Sequence, residues 1–68
     1  MKNTFGKNLK FCRGSMTQRE LADWIGTSQQ YVSRLERDEC EPTATLLRKI
    51  IKALDTTFED LFDGVPLD

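Results

Sequence analysis

"TQRELADWIGTSQQYVSRLER", Thr17 to Arg37, decides how this chain folds. The stretch divides at Gly26. Before the glycine, Leu21, Ala22 and Ile25 share one helical face; after it, Val32 and Leu35 do the same. Thr17 with Glu20 three residues later forms a capping box, whose hydroxyl and carboxylate each satisfy a free N–H at a helix start. Thr27 or Ser28 can cap the second helix. Ala22 is small where two steeply crossed helices leave no room for bulk, and Gly26 supplies the turn. Two helices joined at ~90–120° by 3–4 residues make the helix-turn-helix unit. It is expected over residues 17–37.

The outward residues suit base reading. Gln29, Gln30, Ser33 and Arg34 point away from Val32 and Leu35. A glutamine amide pairs bidentately with adenine, an arginine with guanine, and each good pair discriminates by ~1–3 kcal/mol. In such a unit the second helix enters the DNA major groove by its first turn. Gln18 lies beside free N–H groups at a helix start, an arrangement that anchors phosphate. Plainer roles stand beside these. Gln30 can be the reciprocal partner of Thr27 in a capping box, and Ser33 a neutral surface residue. Arg34 can pair with Asp38 and Arg19 with Asp23, but exposed pairs contribute only ~0–1 kcal/mol.

Outward from this stretch, the chain reads as more short helices. Phe5, Leu9 and Cys12 form one stripe, stopped at Gly14. Pro42 breaks the chain after Glu41, and Thr43 caps a helix burying Ala44, Leu47, Ile50, Ile51 and Leu54. Thr57 and Asp60 suggest a second capping box before Phe58, Leu61 and Phe62. No segment alternates with period two, so the expected fold is all-α, a compact five-helix bundle.

With 68 residues, the expectation is a single domain, 1–68, without room for an effector domain. No apolar run approaches the ~20 residues needed to cross a membrane. Lysines interrupt the N-terminal apolar residues, so no signal peptide is expected and the cytoplasm is the expected location. Cys12 and Cys40 are not spaced as CxxC and there is no histidine, which argues against a zinc site and for free thiols. No nucleophile has a base beside it and no glycine loop cradles phosphate, so an enzyme is not expected. Charge is divided: residues 1–37 hold seven cations against three carboxylates, residues 38–68 three against eight. One end can face an anion while the other faces away.

"TQRELA", "IGTSQQYVSRLERD", "EPTATLLRKIIKAL" and "TTFEDLF", in that order, resemble the lambda-repressor/Cro type of helix-turn-helix domain, the Xre family of bacterial and phage regulators. The resemblance covers Phe5 to about Phe62. It implies a five-helix bundle that binds double-stranded DNA without a cofactor, as a homodimer on a palindromic operator. Carried over by position, Gln29, Gln30 and Arg34 are base-facing, Ser33 lines the groove, and Gln18 anchors phosphate. Tyr31 reaches phosphate or a thymine methyl. Arg13 and Glu36 match a helix-one to helix-three ion pair. Thr17, Ser28, Arg19, Arg37, Lys7 and Lys10 complete the expected backbone contacts.

The chain departs from the family in three places. The turn "GSM" is short, Asp55 stands where glycine is common, and the loop "RDECEP" is acidic where the family is basic or neutral. The acids are expected to weaken binding to random DNA. The apolar C-terminus, residues 57–68 with Phe58, Leu61, Phe62, Val65 and Leu67, is expected to form the dimer interface. Trp24 is expected as a lid over the core. A protein partner reached through Trp24 or the acidic 38–68 region is the alternative, as in an antitoxin or antagonist module.

Overall fold

Every helix of the computed structural model, which describes residues 3–66, begins at a threonine or serine. In chain order they are α1 (Phe5–Arg13), α2 (Gln18–Ile25), α3 (Gln29–Glu36), α4 (Ala44–Ala53) and α5 (Phe58–Leu61). Thr4, Thr17, Ser28, Thr43 and Thr57 are extended, and each hydroxyl accepts from the N–H three residues on at 3.0 to 3.2 Å. Such a cap is worth ~1 kcal/mol. The Thr17 box is reciprocal, its N–H donating to Glu20 Oε1 at 2.9 Å. The Thr57 cap has only its hydroxyl half. The described residues contain no strand, as the all-α reading expects.

The turn between α2 and α3 follows from Gly26, at φ 75° and ψ 37°, a left-handed conformation that costs glycine little. The Ala22 carbonyl accepts from both the Gly26 and Thr27 N–H groups. Ser28 is then the cap of α3. That corrects one reading of Gln30: it occupies the second helical position and has no part in a capping box.

Leu9, Leu21, Ala22, Ile25, Val32, Leu35, Ile50 and Leu61 form one core from all five helices, each at most 1% exposed. Three expectations are corrected here. Ala44 is exposed, because it precedes the buried stripe by a full turn. Trp24 is no lid but 70% exposed. Leu61 is fully buried within the protomer, so its side chain is closed to a dimer partner. Leu67 lies outside the described residues.

Two polar ties hold α1 in place. Asp38 takes a left-handed φ of 59°. Its Oδ1 then accepts the Gly6 N–H at 2.8 Å, a carboxylate at the positive end of α1. Gly6 admits this approach because a Cβ there would collide with the Glu36 carbonyl. At the other side, Asn8 Nδ2 donates to the carbonyls of Leu61 at 2.9 Å and Asp63 at 3.0 Å, closing the end of α5. Asp55 is left-handed, φ 51°, as its place in the turn predicts.

Candidate nucleic-acid interface

Val32 and Leu35 are fully buried, which rotates the opposite face of α3 to solvent. Gln29, Gln30 and Arg34 are exposed there and Ser33 is half-buried beside them. Neither glutamine amide has a hydrogen-bond partner among the described residues. The first turn of α3 therefore offers unused donors and acceptors on a rigid helix.

Gln18 is more constrained than its surface position suggested. Its Nε2 donates to Glu36 Oε1 at 2.9 Å. Glu36 also takes Arg13 Nε at 2.7 Å and Nη2 at 3.2 Å, and Arg13 Nη1 donates to the Met16 carbonyl at 2.6 Å. The ion pair is well shielded, with side chains 13% and 4% exposed. The short "GSM" turn thus still permits the expected link from α1 to α3. This chain of bonds also sets the Gln18 amide with its NH2 toward Glu36.

The acidic loop is used internally. Asp38 is engaged by Gly6 and not by Arg34, correcting that expected pair. Glu39 holds Arg37 through Nε at 2.9 Å and Nη2 at 3.3 Å. Its contact to Arg34 Nε is longer, 3.8 Å. These three side chains are about half exposed, so the pairs are screened and weak. Tyr31 is half-buried, and its hydroxyl donates to the Glu41 carbonyl at 3.4 Å. Burial is the main cause that raises its pKa, so the phenol stays neutral. Its ring belongs to the α3–α4 junction more than to the reading face. Arg19, Lys7 and Lys10 are exposed, and Arg19 forms no ion pair with Asp23.

Thr17 and Ser28 face the starts of α2 and α3, each with its hydroxyl already committed as a cap. Sequence reasoning missed the Asp38–Gly6 and Gln18–Glu36 bonds. It also missed Phe11, which is 87% exposed on α1. An i, i+3, i+4 reading of α1 would have put Phe11 off the buried stripe. Among the described residues no cluster of acidic or thiol side chains has the form of a metal site. No helix there is long and apolar enough to cross a membrane.

A capped α2–turn–α3 unit on a helical core, with a free polar face on α3, is the helix-turn-helix arrangement of a DNA-binding transcriptional regulator. The chain belongs to the Helix-turn-helix family of lambda-repressor/Xre type, whose model matches residues 10–61. It is similar to the P22 c2 repressor, solved by crystallography in complex with synthetic operator 9T in the presence of Tl+. The two chains are 28% identical and superpose with a TM-score of 0.86, over 93% of this chain and 98% of that one. No curated protein sequence matches this one.

Proposed function

We propose that this protein is a cytoplasmic, repressor-like homodimer that reads a palindromic operator in double-stranded DNA. The observation that carries the reading is the uncommitted polar face of α3 held over fully buried Val32 and Leu35. In this reading α3 lies in the major groove. Gln29, Gln30 and Arg34 contact base edges and Ser33 lines the interface. Gln18, Arg19, Lys7, Lys10 and the N-terminal turns of α2 and α3 hold phosphate; Arg37 joins them when it leaves Glu39. Two protomers place their α3 helices about one turn of DNA apart, ~34–36 Å. Phe58, Phe62 and Val65 provide the apolar part of the dimer surface, with Phe58 53% exposed.

Selection of bound duplexes from a random library at ~150 mM salt tests this, since that salt already suppresses purely electrostatic binding. A two-fold symmetric consensus is expected. No enriched sequence from a folded protein would reject the reading. The exposed Trp24 would then favour the protein-partner alternative.

A further inference from the structure

Three helices meet at the Glu36 carboxylate. Glu36 is the last residue of α3; it receives Arg13 from the end of α1 and Gln18 Nε2, at 2.9 Å, from the start of α2. The Glu36 side chain is 4% exposed and that of Arg13 13%, so salt screens the pair little. Joining α1 to α3 needs only the two charges. The bond from Gln18 is an additional tie, and it leaves the second N–H of that amide uncommitted among the described residues.

Gln18 opens α2. Its backbone N–H and that of Arg19 have no carbonyl four residues back within the helix. The capping box occupies the N–H groups of Thr17 and Glu20. The donors left at this end are thus two backbone N–H groups and the Gln18 amide. A loose glutamine has to be ordered when a phosphate arrives, whereas one held by a shielded carboxylate is ordered beforehand. The clamp is also part of the reading helix. Glu36 lies seven residues beyond Gln29, two turns and about 10 Å along the same face of α3.

We propose that Glu36 is a positioning residue for DNA: it locks the Gln18 phosphate anchor to the reading helix, so that backbone and base contacts arrive in one register. This rests on the DNA-reading function above and adds how its anchor is set. Arg13 neutralises Glu36, so the clamp presents no net charge to the phosphates.

Arg13→Met with Glu36→Met replaces the ion pair by apolar side chains of similar length, an exchange that often leaves stability unchanged. Anisotropy titrations at ~150 mM salt would compare the parent, this pair variant, Gln18→Ala and the triple variant, on the selected operator and on a random duplex. The pair variant is expected to bind operator roughly two- to twelvefold more weakly, the cost of ordering one long side chain. Random DNA should lose less, because α3 has no fixed register there. Gln18→Ala is expected to cost less operator affinity in the pair variant than in the parent, by the same factor. A purely structural ion pair would lower Tm and leave the two losses additive. Additive losses, or parental discrimination in the pair variant, would overturn the proposal while leaving DNA reading in place. A parent that enriches no operator would remove the DNA-reading function itself. If the pair variant does not fold, the parent decides. Without DNA, the NMR order parameter of the Gln18 side-chain amide is expected near the ~0.85 of rigid backbone, and a value below ~0.6 would overturn the clamp.

Discussion

Replacing Glu39 with glutamine should make the protein hold random DNA more tightly. The carboxylate clasps Arg37 at 2.9 Å and leans on Arg34 at 3.8 Å, beside the face proposed to read bases. To reach a phosphate, Arg37 has to leave that carboxylate. The pair is exposed on both sides, 58% and 48%, so breaking it costs only ~0.2–1 kcal/mol. Glutamine removes that cost, which corresponds to roughly 1.4- to 5-fold tighter binding at ~1.4 kcal/mol per decade. It also removes a negative charge close to the phosphates. If Arg37 then neutralises one more phosphate, the slope of log affinity against log salt steepens by ~0.9. Fluorescence anisotropy of a labelled random duplex across ~50–200 mM salt reads both quantities. The selected operator should gain less if, as proposed, Gln29, Gln30 and Arg34 contact bases and so fix α3 in one register, whereas on random DNA α3 can settle wherever a phosphate lies within reach. Unchanged affinity and slope on random DNA would refute the reasoning. Equal gains on both duplexes would show that the acidic loop does not select between them.

Asp38→Ala removes the carboxylate that receives the Gly6 N–H, a charge-assisted bond worth ~1.5–3 kcal/mol when fully effective. Part exposure lowers that figure, and a fall in Tm of about 4–12 °C is expected by thermal circular dichroism, with Asp38→Asn intermediate. Gly6→Ala should be worse still, because its methyl would meet the Glu36 backbone, which cannot swing aside, as well as the Asp38 carboxylate. Loss of cooperative melting or of soluble protein is expected, and a Tm equal to the parent's would contradict the packing described. Glu20 has its pKa lowered, first by the Thr17 backbone N–H and then by the Thr17 hydroxyl. A carboxylate with a depressed folded-state pKa stabilises the fold above its unfolded value of 4.5, and that stability disappears as pH falls through the folded value. The stability difference between the parent and Glu20→Gln should therefore shrink as pH drops below about 4.5 in urea titrations.

The α2–α3 unit was readable because its signals are local. Thr17, Glu20, Gly26 and Ser28 act within one turn of themselves, and Leu21, Ile25, Val32 and Leu35 repeat at helical spacing. Bonds that span the chain left no such trace. Asp38 reaches Gly6 across 32 residues, and Gln18 reaches Glu36 across 18. Neither pair shares a helix, so no periodicity links them. The sequence shows the acidic loop only as a charge set against random DNA, yet two of its three carboxylates are held by partners within the protein. Edge positions were the other weak point. Trp24 is three residues from Leu21 and one from Ile25, at the margin of the buried stripe. Whether a margin is covered depends on which neighbour lies over it, and a single helix does not hold that information. Leu61 was misread for the opposite reason: four residues of α5 are too few to tell an inward side from an outward one.

The exposure of Trp24 has a practical consequence. It is the chain's sole tryptophan, and it is 70% exposed in the native fold. Its indole is already surrounded by water before unfolding begins. Native emission should lie near that of the free amino acid, and heating or denaturant will shift it little. The usual fluorescence melt will report almost nothing about this core, and a flat trace is the signature of a correctly placed Trp24. Quenching or a blue shift on adding another molecule carries far more meaning, because it marks something arriving at the outer face of α2.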